Sequence, residues 1–128
     1  MQPSCSELEL DHQLCFALYS TSLMMTKVYK PLLKKLGLTY PQYLAMLVLW
    51  QNDGITVGTL SKRLLTDPGS LTPLLKRLEA DQLLNRKRSH EDERVVELYL
   101  TEKAKRCANR RAIFPAVWCM PASSRLRH

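Results

Sequence analysis

The chain has 128 residues, of which 45% are apolar, and a formal net charge of +7. This length predicts a single domain with an ordinary core. The longest apolar run, LAMLVLW at 44–50, is too short to cross a bilayer. The front end also lacks the basic region of a secretory signal. We therefore expect a cytoplasmic protein that makes no membrane contact.

The charge distribution weakens any argument from net charge alone. Residues 1–102 contain 12 Lys/Arg and 12 Asp/Glu, whereas residues 103–128 contain 7 Lys/Arg and no acidic residue. The whole excess therefore lies in the C-terminal tail. Any prediction of nucleic-acid binding has to depend on local basic clusters in the body of the chain.

The four cysteines do not form a metal-binding pattern. Cys5, Cys15, Cys107 and Cys119 make no CxxC pair and no Cys/His cluster, so neither a metal nor a cofactor is expected. A disulfide framework is not expected in a reducing compartment. The thiols are therefore inert or redox-active. No Ser/His/Asp set or phosphate-binding loop is evident, and an enzyme is not predicted.

The first predicted element is a helix from Asp11 to about Leu36, with Asp11 as a plausible N-cap. One stripe of this helix carries side chains spaced three or four apart: Cys15, Leu18, Tyr19, Ser22, Thr26 and Tyr29. Pro31 should disturb the helix near its end. Gly37 is expected to stop it.

Three further helices, a β-hairpin and a last helix follow in the predicted order. Thr39 opens a helix that runs to about Gln51, and Thr56 caps a short third helix. TDPGS forms a turn before a fourth helix at 69–81. Alternating segments at 83–88 and 94–100 predict two strands, and Thr101 opens another helix. This order is typical of a mainly α fold with a small β-hairpin, the winged helix-turn-helix.

The predicted domain organisation has three parts. Residues 1–10 form a mobile N-terminal end. Residues 11–112 hold the winged helix-turn-helix domain, its N-terminal helix and the start of a C-terminal helix. Residues 113–128, with two prolines and no acidic residue, form a poorly ordered tail.

The fourth helix and the hairpin predict a DNA-reading surface. Leu71, Leu74, Leu75 and Leu78 form the core-facing stripe of the helix. Its other faces carry Ser70, Thr72, Pro73, Lys76 and Arg77, with Pro73 placed near the helix start. Small polar and basic side chains suit a major groove. The hairpin carries Arg86, Lys87, Arg88 and Arg94, with Asp92 close enough to orient Arg94, and such a basic wing can reach phosphates.

Each of these elements also has a simpler interpretation. The RKR run can be a solvated strand edge that discourages aggregation, and the amphipathic helix can serve the core alone. A winged helix can also bind protein instead of DNA. The order of the elements favours DNA, and a steep dependence of binding on salt would distinguish the two.

The stretch GTLSKRLLTDPGSLTPLLKRLEADQLLNRKRSHEDERVVELYLTEK resembles the multiple antibiotic resistance regulator (MarR) family. LCFALYS and KVYKPLLKKLGLTYPQYLAMLVLW resemble its organic hydroperoxide resistance regulator (OhrR) branch. The resemblance covers about residues 8–103. Gln82 stands where the family commonly has glycine, and the sequence departs from the family pattern after Lys103.

The resemblance implies a homodimeric repressor of operator DNA that dimerises through its N- and C-terminal helices. Cys15 matches the cysteine that an organic hydroperoxide oxidises to sulfenic acid. Tyr29 and Tyr40 match the tyrosines that hydrogen-bond it, with Tyr19 as an accessory. A disulfide with a small thiol or a second cysteine then releases the DNA. Cys107 or Cys119 would be that second cysteine.

The spacing of Cys15 and Tyr29 adds an independent constraint. On a continuous helix, 14 residues span about 21 Å, so the two side chains cannot touch within one chain. A hydrogen bond between them therefore requires a second copy whose first helix runs antiparallel. The same holds for Tyr40 unless the chain folds back. The alternative is a regulator switched by a small ligand, in which Cys15 only packs.

Overall fold

A computed structural model of the chain describes residues 8–108. Five α-helices and a two-stranded antiparallel sheet follow one another in the order predicted from the sequence. The fold divides into two compact units, one ending at Tyr40 and the other beginning at Pro41. Of the predicted mobile end at 1–10, residues 1–7 lie outside the described residues, as does the predicted tail at 113–128.

The first unit consists of a 3-10 turn, Leu10–His12, and the long helix α1, Leu14–Leu36. The prediction that Asp11 caps this helix is wrong. Asp11 lies inside the 3-10 turn and Gln13 is the N-cap. Cys15 is therefore the second helical residue. At the other end Gly37 adopts a φ of 71°, and its N–H donates to the carbonyl of Lys34 at 3.1 Å. Glycine meets this conformation at little cost.

Helix α1 continues through Pro31 for five more residues. Because proline has no backbone N–H, the carbonyl of Lys27 lacks its regular helical donor. The helix nevertheless remains one element, so residues 14–36 present a single periodic surface. Because α1 is continuous, Cys15 and Tyr29 lie about 21 Å apart along one helix axis.

The second unit has a core built on α2, Tyr40–Gln51, which begins at the last residue of the first unit. Ala45, Met46 and Leu49 are completely buried. Helices α3 (Val57–Leu64) and α4 (Pro68–Ala80) follow, together with strands β1 (Leu84–Arg88) and β2 (Val96–Leu100) and helix α5 (Glu102–Cys107). Buried side chains contributed by these elements are Leu60, Leu71, Leu75, Leu78, Leu84, Leu98, Leu100 and Ala104.

A three-residue turn joins α3 to α4, as in a helix-turn-helix. Thr56 caps α3 by accepting from the N–H of Thr59 at 3.1 Å, as the sequence predicts. Asp67 caps α4 by accepting from the N–H of Ser70 at 3.0 Å. Pro68 then occupies the first helical position, where a missing N–H costs little. The predicted start of α4 at residue 69 is correct to within one residue. The prediction that Pro73 lies near this start is wrong, because Pro73 is the sixth helical residue and lies beyond the first turn.

The hairpin pairs Leu84 with Leu100 and Arg86 with Leu98. The segment leading into α3 extends this sheet, because the N–H of Leu98 donates to Ile55 O at 2.8 Å and the N–H of Gly54 donates to Leu98 O at 2.9 Å. The body of the second unit thereby holds the wing along the edge of β2 that does not pair with β1.

Helix α5 begins after Thr101, whose hydroxyl accepts from the N–H of Ala104 at 3.2 Å. The indole N–H of Trp50 donates to the carbonyl of Ala104 at 2.9 Å, which ties α5 to the end of α2. The rest of the predicted last helix lies beyond the residues that the structure describes. Between residues 8 and 108, no helix is long and apolar enough to cross a membrane.

Candidate DNA interface and candidate redox cysteine

The predicted reading face of α4 is open to solvent. Its leucine stripe is turned inward, with Leu71, Leu75 and Leu78 buried and Leu74 half-buried. The side chains predicted to read DNA are all exposed: Ser70, Thr72, Pro73, Lys76 and Arg77. The burial of the stripe leaves hydroxyls and cations on the outer surface, where they can reach base edges and phosphates.

Ser70 is also part of the cap of α4. Its hydroxyl and its N–H both donate to the Asp67 carboxylate. The hydrogen bond from the Ser70 hydroxyl, followed by the one from its backbone, lowers the pKa of Asp67 below its ordinary value of 3.8. The Ser70 oxygen keeps its lone pairs, so it can accept from a base while the helix start stays fixed.

Two of the predicted wing cations, Arg86 and Arg94, form salt bridges. Arg94 is the more exposed of the two, with 92% of its side chain accessible. Its backbone N–H donates to Asp92 Oδ1 at 3.0 Å and its Nε donates to the same oxygen at 3.3 Å. Asp92 therefore orients the guanidinium, as predicted, and leaves its outer N–H groups available. Arg88 donates to the carbonyl of Glu93 at 3.0 Å.

The RKR run is divided between the two faces of the hairpin. Lys87 lies over the ring of Tyr99, 5.3 Å from its centroid, while the Tyr99 hydroxyl donates to Glu97 at 2.6 Å. That hydrogen bond is the main cause that raises the pKa of Tyr99 above its ordinary value of 10.0. Since side chains alternate along a strand, Arg86 and Arg88 point to the other face, beside Glu79 and Val96.

Arg86 differs from the other predicted wing cations because its side chain is partly buried against α4. Its Nη2 donates to Glu79 Oε1 at 3.1 Å and its Nε donates to Glu79 Oε2 at 3.4 Å. The backbone N–H of Arg86 also donates to Oε2, at 3.1 Å. Only 29% of the Arg86 side chain is exposed. The structure thus gives this residue a partner that the sequence interpretation did not include.

Sequence reasoning missed Glu79. The only signal available was an acidic residue at the end of the leucine stripe, seven residues before Arg86. That pattern does not differ from an ordinary solvated acid on a helix.

The start of α4 and the wing border one cavity of about 500 Å³ in the second unit. Thr72, Arg86 and Arg94, which the sequence analysis singled out separately, all line it. Thus residues from two predicted DNA-contacting elements lie together on one side of this unit.

Cys15 is exposed in the first turn of α1. Large apolar side chains elsewhere in the first unit are exposed as well. The exposed set in this unit comprises Leu8, Leu10, Leu14, Leu18, Tyr19, Leu23, Met24 and Val28. We call this set, together with Cys15, the α1 apolar surface. Such a concentration of exposed apolar area is typical of an interaction site.

The two tyrosines predicted to hydrogen-bond the thiol are neighbours of each other. The rings of Tyr29 and Tyr40 are 5.4 Å apart and tilted by 49°. Tyr29 lies 14 residues along the same helix from Cys15, about 21 Å away. Tyr40 packs at that distant end too, so the chain does not fold it back onto Cys15. Tyr19, one turn from Cys15, is 61% exposed.

Of the two cysteines predicted as possible resolving thiols, the structure describes only Cys107. Cys107 is the last residue of α5 and is partly exposed. Cys119 lies outside the described residues. Between residues 8 and 108, no group of three or more His, Cys, Asp or Glu side chains could hold a metal ion.

Taken together, a helix-turn-helix followed by a β-hairpin, with basic side chains exposed on both, defines the winged-helix class of DNA-binding proteins. A family model described as transcriptional regulator SarA/Rot matches residues 27–111. The chain belongs to this family of transcriptional regulators, which is of the MarR type, as the sequence resemblance implied. The relatives found are regulators and not enzymes.

Individual relatives agree with this assignment. The chain is 53% identical over 102 residues to the organic hydroperoxide resistance transcriptional regulator of Bacillus subtilis (strain 168), covering 80% of this chain and 69% of that protein. It is 49% identical over 96 residues to the HTH-type transcriptional regulator TtmR of Methylorubrum extorquens (strain PA1). That alignment covers 75% of this chain and 49% of TtmR, so it spans about half of that relative.

The fold is similar to that of AbfR of Staphylococcus epidermidis. Overoxidised AbfR bound to DNA superposes with a TM-score of 0.75 at 30% identity, covering 88% of this chain and 87% of AbfR. Reduced AbfR bound to DNA gives a TM-score of 0.74 at 33% identity, covering 93% and 82%. This chain is thus a DNA-binding transcriptional regulator.

Proposed function

We propose that this chain is a homodimeric repressor that leaves its operator DNA when an organic hydroperoxide oxidises Cys15. The observation that carries the proposal is the exposure of Cys15 within the α1 apolar surface, far from the tyrosine pair of its own chain. The 53% identity to an organic hydroperoxide resistance regulator supports it. AbfR, which has been crystallised in reduced, overoxidised and disulfide forms, is a second supporting relative.

Double-stranded operator DNA is contacted by α4 and the wing. The hydroxyls of Ser70 and Thr72 and the cation of Lys76 face the major groove, because the leucine stripe holds the opposite side of α4 in the core. Arg94, oriented by Asp92, reaches the phosphates beyond the groove. The exposed loop acids Glu91 and Glu93 are unfavourable near phosphate, so the wing approaches the duplex with its arginines.

A second copy of the chain completes the sensor. Cys15 and Tyr29 are related by an antiparallel pairing of two α1 helices whose two-fold axis passes near Ser22, midway between them. This pairing brings Tyr29 and its neighbour Tyr40 of one copy to Cys15 of the other. It also removes from water the part of the α1 apolar surface that lies on the same side of the helix as Cys15 and Tyr29, which stabilises the dimer.

The chemistry follows from these surroundings. Two phenols donate hydrogen bonds to the sulfur and stabilise the thiolate, which is the nucleophilic form. The thiolate attacks the terminal oxygen of the hydroperoxide; an S–O bond forms, the O–O bond breaks, and the alkoxide leaves as the alcohol after taking up a proton. The sulfur is oxidised by two electrons to sulfenic acid. A small thiol or a second cysteine then forms a disulfide with loss of water.

The central experiment compares the wild type with Cys15→Ser on a duplex selected from a random pool. Both proteins should bind it equally in a gel shift, because Cys15 lies outside the DNA-contacting elements. Cumene hydroperoxide should release the wild type only. Cys107→Ser is the matched control for loss of a thiol, and it should form the Cys15 sulfenic acid at the wild-type rate.

The outcomes separate the alternatives. Release of Cys15→Ser by the hydroperoxide would reject Cys15 as the sensor and favour a ligand-switched regulator. An affinity for DNA that does not change with salt concentration would reject DNA recognition through phosphates.

Arg94→Ala should weaken binding to selected and unrelated duplexes alike. It should also reduce the slope of the logarithm of the binding constant against the logarithm of the salt concentration by about 0.9. A loss confined to one base position would contradict the phosphate role of Arg94.

A further inference from the structure

The carboxylate of Glu79 is the point at which α4 and the wing are joined by side chains. It accepts from Arg86 three times, through Nη2 at 3.1 Å, Nε at 3.4 Å and the backbone N–H at 3.1 Å. We propose that Glu79 is a positioning residue that fixes the wing relative to α4 and thereby raises DNA affinity without contacting DNA. The inference rests on the proposed use of α4 and the wing as the two DNA-contacting elements.

The chain connection from α4 to β1 fixes a position but not an orientation. The hydrogen bonds of Leu98 to Gly54 and Ile55 hold the wing to the segment before α3 and not to α4. The chain passes from α4 to β1 through residues 81–83, where the N–H of Leu83 donates to the carbonyl of Leu78 at 3.0 Å. This determines where β1 begins. Arg86 lies two residues into β1, opposite the buried Leu98. Holding Arg86 to Glu79 therefore sets the direction in which the strand leaves α4.

The fork geometry suits this role better than a single contact would. Arginine presents two parallel N–H groups to one carboxylate, which adds directional constraint to the attraction. The backbone N–H of Arg86 shares Oε2, so the strand itself and not only its side chain is held. A protein that reads DNA with two elements loses less conformational entropy on binding when their relative direction is already fixed.

The sign of the effect distinguishes this role from simple electrostatics. Glu79→Gln removes a negative charge and frees Arg86. If charge alone mattered, DNA binding would become tighter. If Glu79 positions the wing, binding becomes weaker in spite of the more favourable charge. The two explanations thus predict opposite directions for one substitution.

The experiment measures dissociation constants of the full chain for a selected fluorescent duplex by anisotropy, at one salt concentration and well below the thermal unfolding midpoint of each variant. Glu79→Gln should weaken binding by roughly five-fold or more. Glu91→Gln, which makes the same charge change in the wing loop, should bind as the wild type or more tightly. Equal or tighter binding by Glu79→Gln would overturn the inference.

Two further variants keep the test informative. Arg86→Lys preserves the charge but not the two parallel N–H groups of arginine, and it should weaken DNA binding as Glu79→Gln does. Wild-type affinity in this variant would contradict the positioning role.

In a double-mutant cycle, Glu79→Gln should have little further effect on DNA affinity in an Arg94→Ala background, because the wing no longer makes its main contact with DNA. Full additivity would indicate a general structural defect and reject the inference. If the wild type itself fails to bind duplex DNA, the proposed function fails first.

Discussion

At the residue scale, two side chains show how local backbone and charge demands act in this fold. Gln82 adopts a φ of 61° directly after α4, in the left-handed region that non-glycine residues rarely occupy. The sequence resemblance had placed it where the family commonly has glycine. The carbonyl of Gln82 still accepts from the Thr101 hydroxyl at 2.7 Å. The chain thus keeps the glycine-type turn with a less suitable residue.

Gln82→Gly should raise the free energy of unfolding by about 0.5–1 kcal/mol, because glycine removes the left-handed penalty at a smaller entropic cost. The side chain is exposed, so no packing is lost. Urea denaturation measures the change. Gln82→Ala is the matched control, since it shortens the side chain but keeps Cβ, and it should not stabilise the protein. Equal stabilisation by both variants would point to the side chain and not to the backbone.

Glu79 also predicts a pH dependence. The side-chain hydrogen bond from Arg86, supported by the backbone N–H of Arg86, lowers the pKa of Glu79 below its ordinary value of 4.5. A carboxyl group whose pKa is lowered on folding stabilises the protein above its unfolded pKa and loses this contribution as the pH falls through its folded pKa. The stability difference between wild type and Glu79→Gln should therefore be largest near neutral pH and shrink below about pH 4.5. A difference that grows on acidification would contradict this ion pair.

At the scale of elements, capping residues determine where the helices of the second unit begin. Thr56, Asp67 and Thr101 each accept from the N–H three residues ahead. Their side chains satisfy donors that the first turn leaves without helical partners. Because α3 has only eight residues, it depends more on its cap than a long helix does.

Thr56→Ala should lower the free energy of unfolding by about 1 kcal/mol, the usual cost of losing an N-cap oxygen. Thermal unfolding followed by circular dichroism measures it. Thr56→Ser keeps the hydroxyl and should retain most of the stability. If Ser and Ala destabilise equally, the methyl group of Thr56 matters more than its cap.

At the scale of the whole molecule, the exposed α1 apolar surface supports the proposed dimer. Leu18 is 64% exposed on this surface, one turn from Cys15. Leu65 is 95% exposed but lies in the turn between α3 and α4. The two leucines therefore provide the same chemical group on and off the proposed interface.

Leu18→Glu should raise the dimer dissociation constant by roughly 30-fold or more, because a charge would be buried at a central contact. Leu65→Glu should leave the oligomeric state unchanged. Light scattering across a dilution series gives both values. The Leu18 variant should also react more slowly with hydroperoxide at Cys15, since its tyrosine donors come from the second copy. Dimers of equal stability in both variants would place the interface elsewhere.

The order and type of the elements could be predicted from periodicity and turn residues because these signals are local. Helix starts at Thr56 and Thr101 were correct for this reason. The start of α4 was correct to within one residue, although Asp67 was not recognised as its cap. The start of α1 was wrong, because Gln13 and not Asp11 occupies the cap position. Competing local signals of similar strength are resolved by the surrounding packing.

For the candidate site, the sequence determined which side chains are available: the polar face of α4, the basic hairpin and a cysteine that shares a helical stripe with a distant tyrosine. Only the tertiary structure decided that Arg86 forms a salt bridge with Glu79 and that the ring of Tyr40 packs on that of Tyr29. It also decided that the segment 54–56 hydrogen-bonds to the sheet. The reason is physical: periodicity reports which face of an element a residue occupies, whereas the partner it meets depends on how separate elements pack in space.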